Sequence, residues 1–212
     1  MLLYSAVPAV NPWSSGLTLS PMAGQNPAVA TALNEQDTFI RSGNHAKGSA
    51  MHRAAMDYVS RYATLSRISV IEIGSRNING TVRPLFPGAQ WTGLDLYPGP
   101  DVDVVCDSRH FNSPFKVDMV ICCEVLEHSE DWAGILENAS EWLKPEGRIV
   151  ITCGGPGRPQ HSHHDGGRLR AGEYYGNLTP LQICQVLQGS GMWIESAEVV
   201  GDDTRVSAIT AF

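Results

Sequence analysis

The sequence predicts an α/β fold with a mostly parallel, seven-stranded sheet that closes in a C-terminal hairpin. Three observations carry this. Short β-branched runs alternate with helical patterns from Arg67 onward, the signature of βαβ units. The first run empties into a glycine turn, and an acidic residue, Asp95, ends the second run 23 positions after Glu72. Two further strand-like runs close the chain around the turn Gly201-Asp202-Asp203.

Taken in order, residues 1–45 carry Pro8, Pro12, Pro21 and Pro27 among scattered small and polar residues, and without a sustained period they read as an irregular arm. The domain itself is expected over 46–212. Met51, Ala54, Ala55, Tyr58, Val59 and Tyr62 lie at helical spacing and predict a helix covering an edge of the sheet. The strands follow: Ile68 to Ile73, Trp91 to Leu96, Val102 to Cys106, Val117 to Cys123 and Arg148 to Cys153. A helix containing Val82 and Leu85 is expected after the first strand, with Pro84 limiting its regularity. Between the fourth and fifth, Trp132, Ile135, Leu136, Ala139, Trp142 and Leu143 predict a helix that Pro145 and Gly147 stop. Thr179 as N-cap and Pro180 at the first helical position open another, closed by Gly189 and Gly191. Trp193 to Val200 and Arg205 to Phe212 form the hairpin.

The 212 residues suffice for one real core rather than two domains. A 42% hydrophobic and 17% charged composition fits a soluble globular chain, and no apolar run approaches a membrane span. The start lacks the basic region of a secretory signal and is broken by Pro8, so a cytoplasmic location is expected. A net charge of -7 argues against sequence-independent grip on nucleic acid. Arg158, Arg168 and Arg170 form the one candidate basic patch, and a solvated loop is the preferred reading. Five cysteines, odd in number and mostly within apolar runs, suit reduced thiols.

The candidate site begins at Glu72-Ile73-Gly74-Ser75-Arg76-Asn77-Ile78-Asn79-Gly80. Glycine permits close approach of backbone to ligand, and a helix N-terminus beyond it offers free N–H groups. At Asp95 a carboxylate can accept both hydroxyls of a ribose. Together these indicate an adenosine cofactor. Nicotinamide dinucleotides call for G-x-G-x-x-G, whereas this loop has only Gly74 and Gly80, so an oxidoreductase is disfavoured. Glu72, two before the glycine, suits a ligand bearing an ammonium.

These residues resemble the class I S-adenosylmethionine-dependent methyltransferases over roughly 67–212. Glu72-Ile73-Gly74 is similar to the first motif, Gly93-Leu94-Asp95 to the second, and Cys106-Asp107-Ser108 to the acidic turn facing adenine. Val117 to Cys123 followed by Glu124-Val125-Leu126-Glu127-His128, then Leu143-Lys144-Pro145-Glu146-Gly147, resembles the strand, E-V-L-E-H and L-K-P-G-G pattern. Glu146 replaces a glycine there, tolerably for a surface turn. Gly74-Ser75-Arg76 to Asn79-Gly80 and His161-Ser162 to Asp165-Gly166-Gly167 also resemble small actinobacterial and phage members. The resemblance implies a Rossmann-like sandwich whose last strand inserts antiparallel, ending where the chain ends, so that the domain is complete. It implies S-adenosylmethionine as cofactor, held by Glu72, Gly74, Ser75, Arg76, Gly80, Asp95, Leu96, Asp107, Ser108 and Cys123. It further implies methyl transfer to an oxygen or nitrogen of a small molecule. The third and fifth glycines of the first motif are absent.

Candidate catalytic residues are Glu124 and His128 at the fourth strand's tip, with His161 and His164 in the loop Gly154 to Gly167, which leaves the fifth strand on the ligand-binding edge. Tyr174 and Tyr175 can cover the same pocket. The histidines and Asp165 are of metal-binding type, but adjacent histidines on one loop rarely converge, and no metal is expected. The DPPY turn of amino-group DNA methyltransferases and the Pro-Cys of cytosine-C5 enzymes are both missing. A cofactor-binding module without catalysis stays open as an alternative.

Overall fold

The computed structural model describes residues 49–78 and 80–211; the expected irregular arm over 1–45 lies outside them. Among the described residues the elements are helix α1 (Ser49–Val59), strands β1 (Ser69–Ile73), β2 (Gln90–Asp95), β3 (Val104–Val105) and β4 (Val117–Cys123), helix α2 (Trp132–Ser140), strand β5 (Leu143–Gly154), helix α3 (Pro180–Gly189), and strands β6 (Met192–Val200) and β7 (Asp203–Thr210).

The seven strands form one sheet in the order β3-β2-β1-β4-β5-β7-β6. Pairings from β3 to β5 are parallel, and β7 runs antiparallel between β5 and β6. The chain therefore fills one half outward from β1 and then returns to fill the other from β4. That reversal between β1 and β4 is the switch point at which open α/β sheets bind ligands.

Alternation along each strand divides the core by face. Ile71, Ile73, Val120, Cys122, Ile149, Ile151, Val206 and Ala208 join Ile135, Leu136 and Ala139 of α2 and Ile183 and Leu187 of α3. Val70, Met119, Ile121 and Val150 point the other way, toward Tyr58 and Val59 of α1 and toward Val82, Leu85 and Phe86. Full burial of each such side chain contributes about 1.5–3 kcal/mol. Helix α3 starts as its sequence dictates, with Thr179 and Gln182 in a reciprocal capping box and Pro180 in the first turn.

Three expectations need correction. Helix α1 covers the middle of a face, over β1, β4 and β5, because Tyr58 and Val59 are both fully buried there; a neighbouring tether is Tyr62, whose hydroxyl donates to Ser207 Oγ at 2.7 Å. The third strand shrinks to two residues. The helix expected after β1 is a loop with a single 3₁₀ turn, Arg83–Leu85. Pro84 sits in that turn, and Asn77 Oδ1 accepts the Gly80 N–H at 3.0 Å, so local side-chain bonding replaces helical pairing. Val82 and Leu85 still bury their side chains, which is why their spacing looked helical.

Candidate functional site

At the carboxyl ends of β1, β2 and β4 a cavity of about 520 Å³ opens. All ten residues expected to hold a cofactor line it, as do Glu124, His128, His161 and His164. Sequence separations of up to 92 positions thus collapse into one concave surface, from Glu72 to His164.

The β1 turn is fixed by glycine. Gly74 has φ +74°, and a Cβ there would lie 2.2 Å from Val125 Cγ2. Its N–H and that of Ser75 both donate to Leu94 O, at 2.9 and 3.0 Å, which ties the turn to β2. At Gly93 a Cβ would come within 2.6 Å of Ser75 Oγ and Arg83 Nη2 and still closer to Asp101 O. Ser75 Oγ is buried without a partner.

Three carboxylates here differ in their partners. Glu72 is buried, and Arg83 Nε donates to its Oε2 at 3.0 Å; burial outweighs this pairing and pushes the Glu72 carboxyl up to about 7. Arg83 also donates to Asp101 O and lies over the Trp91 ring. Asp95 accepts the Arg76 and Tyr97 backbone N–H groups at 3.2 and 2.9 Å, which sets its carboxylate at the mouth of the turn. Asp107 is gripped by the Arg109 guanidinium, whose hydrogen bonds hold its carboxyl down at about 2. Ser108 is buried, Leu96 is exposed, and the half-buried Cys123 forms part of the wall, its thiol pushed up to about 12 by burial.

At the other end, Glu124 adopts φ +57°. Its Oε1 accepts from Thr152 Oγ1 at 3.1 Å and its Oε2 from Arg158 Nη2 at 3.2 Å. Arg158 also pairs with Asp203 at the start of β7. The solvated basic patch is corrected at Arg158 alone, which is a nearly buried ion-pair centre; Arg168 and Arg170 are exposed, and Arg170 pairs with the equally exposed Asp165. Glu127 is fully buried, and its Oε1 accepts the Gly154 N–H at 2.9 Å. His128 packs edge-on against His161, His163 and Tyr175, with ring centroids 5.0, 5.9 and 5.2 Å away. Burial is the main reason its imidazolium is disfavoured, with a value lowered to about 4. His163 and His164 instead meet Glu173, at 3.3 and 3.7 Å, and Tyr97 stacks on His163.

Sequence reasoning missed Arg83, Arg109 and Tyr97. Arg109 carries a signal, standing two residues after Asp107 where a side chain reaches back to an acidic turn. Arg83 carries none, because its bond to Glu72 depends on how the loop after β1 folds.

Residues 74–149 match the family model described as a methyltransferase domain. Among particular proteins, the ubiquinone biosynthesis O-methyltransferase of Xylella fastidiosa (strain M23) is 27% identical over 119 residues, 49% of this chain and 48% of the relative. The match thus spans about half the length of the curated relatives. Among solved structures, the 1,6-didemethyltoxoflavin-N1-methyltransferase of Burkholderia thailandensis, solved with S-adenosylhomocysteine, superposes with TM-score 0.60 at 17% identity, covering 92% of this chain and 94% of that one. The magnesium protoporphyrin IX methyltransferase of Synechocystis PCC 6803 gives 0.59 at 15% identity, over 88% of this chain and 100% of that one. The fold is the Rossmann-like methyltransferase fold, with its antiparallel C-terminal strand.

Proposed function

We propose that this chain transfers a methyl group from S-adenosylmethionine to an oxygen or nitrogen nucleophile of a small molecule. The carrying observation is that one cavity at the switch point unites the Gly74 turn, Asp95 and Asp107 with Glu124, His128 and the histidine loop. The residues fit such a cofactor chemically. The Gly74 turn brings bare backbone to the cavity wall, Ser75 Oγ lacks a partner, and acceptors for an ammonium (Glu72) and a ribose (Asp95) lie in the same wall. Backbone of Ser75, Arg76 and Gly80 frames the turn, though the Gly80 N–H is already given to Asn77. Asp107 and Ser108 suit the adenine edge, beside Leu96 and Cys123.

When bound, the cofactor supplies a methyl group on a positively charged sulfur. The protein's own task is alignment and exclusion of water. Glu124, held by Thr152 and Arg158, orients the acceptor at the strand tip, while His128, kept neutral by burial, keeps an imidazole lone pair at the acceptor end of the cavity. His161 and His164 form the acceptor side. The small actinobacterial and phage subgroup, a small-molecule acceptor and a cytoplasmic location belong to this reading; no helix of the described residues is long and apolar enough to cross a membrane.

Calorimetry with S-adenosylmethionine and S-adenosylhomocysteine, followed by methyl-transfer assays across phenols, catechols and N-heterocycles, tests it. Failure of both cofactor forms to bind sinks the proposal, and binding without turnover on any acceptor favours a module without catalysis.

A further inference from the structure

Four buried polar side-chain atoms without a partner gather behind the tip of β4: Glu127 Oε2, His128 Nδ1, His161 Nε2 and the Tyr175 hydroxyl. Buried polar groups are nearly always satisfied, so each orphan calls for an explanation. Here Glu127, His128 and His161 each offer one ligand atom, and these lie within 4.8 Å of one another. We propose that Glu127, His128 and His161 bind a divalent transition-metal ion.

The chemistry of the set agrees. Two imidazoles and one carboxylate suit zinc, iron(II), manganese or cobalt and leave coordination positions open. The supporting contacts are those of a built site. His161 Nδ1 lies 3.1 Å from Pro159 O, which places the ring proton on Nδ1 and leaves Nε2 with its lone pair for a metal. Glu127 is anchored through Oε1 by the Gly154 N–H, so that Oε2 stays available. Tyr175 covers both imidazoles, with centroids 5.2 Å from His128 and 4.8 Å from His161. Glu127 has no exposed surface and His161 is 8% exposed, so neither satisfies these atoms by facing solvent.

The neighbouring group of His163, His164 and Glu173 is weaker, because both Glu173 oxygens are already engaged: Oε1 by Ser162 Oγ and Oε2 by the Arg170 N–H. His128 and His161 line the cavity beside Glu124, so an ion held by them faces the acceptor end. A bound divalent cation lowers the pKa of an oxygen ligand. On the methyl-transfer reading, on which this step rests, the fitting acceptor is therefore a hydroxyl, its O–H proton passing to water while the oxygen stays on the ion.

The test is titration of the full-length chain with Co2+, followed by visible absorption and calorimetry, with S-adenosylhomocysteine titrated into separate samples. One Co2+ per chain is expected, with binding weakened more than about tenfold in His128→Ala and His161→Ala, since losing even an outer-shell partner costs that much. Glu127→Gln is read alongside them, and the loop variant His161→Ala guards against loss of fold at the buried glutamate. His163→Ala is expected to bind as the parent does. No Co2+ binding, or binding lost in His163→Ala but kept in His161→Ala, overturns the site. Cofactor binding without Co2+ binding overturns the metal alone, and Co2+ binding without cofactor binding overturns the methyl-transfer reading alone.

Discussion

Arg83 Nε donates to Glu72 Oε2 at 3.0 Å across the base of the cavity, so the carboxylate assigned to a ligand's ammonium is already shared with a cation of the protein. Burial nevertheless holds the Glu72 carboxyl at about 7, against an ordinary 4.5. The folded state therefore keeps a proton that the unfolded chain releases between those values. The stability that this proton contributes is full below about 4.5 and is lost as pH rises through about 7. Cofactor binding runs the other way, because an ammonium prefers the ionised carboxylate. S-Adenosylhomocysteine is expected to bind roughly tenfold more weakly at pH 6 than at pH 8, and Glu72→Gln to flatten this difference in calorimetry. Equal affinities in the parent at both pH values refute the assignment.

Asp95 is held by two backbone N–H groups with its carboxylate at the turn's mouth. Asp95→Ala is expected to weaken S-adenosylhomocysteine binding by about 1–3 kcal/mol, the scale of lost charge-assisted hydrogen bonds. A thermal-shift titration reads this, and an unchanged dissociation constant shows that the ribose lies elsewhere.

Gly74→Ala meets two obstacles: a left-handed backbone at φ +74° and a methyl 2.2 Å from Val125 Cγ2. Together these cost about 2 kcal/mol or more, measured by urea unfolding. Adding Val125→Ala should recover the steric part only. Full recovery in the double variant contradicts the backbone assignment.

Glu146 stands at φ +62° at an exposed position near the start of β5, where its side chain does nothing to repay the conformation. Glu146→Gly is expected to raise stability by about 1 kcal/mol. Glu124 has nearly the same backbone, φ +57°, but Thr152 and Arg158 hold its side chain. Glu124→Gly is therefore expected to destabilise, because it leaves a buried guanidinium short of a partner. Denaturant midpoints of the two variants should move in opposite directions.

The sheet was legible because the short, nearly unbroken apolar runs Val70 to Ile73, Met119 to Cys122 and Ile149 to Ile151 record burial on both faces. The loop after β1 was not, since buried Val82 and Leu85 imitate a helical stripe while Pro84 and Asn77 decide the backbone. Gly74, Asp95 and the E-V-L-E-H segment announced the cavity through local pattern alone. Arg83 and the place of Glu127 beside His161 were invisible for the opposite reason. Their partners arrive through tertiary folding, 11 and 34 positions away.

Hairpin turns are ordinarily where insertions and fusions are tolerated, and the β6–β7 turn at Gly201-Asp202 looks like such a place. Arg158, however, bridges Asp203 to Glu124, and the Gly155 N–H donates to Asp202 O at 2.7 Å. The turn is thus a buttress for the wall of the cavity. A domain grafted into it will be felt at Glu124, whereas the exposed Glu146 side chain, at the end of β5 away from the cavity, has no such tie and is the better place to attach a reporter.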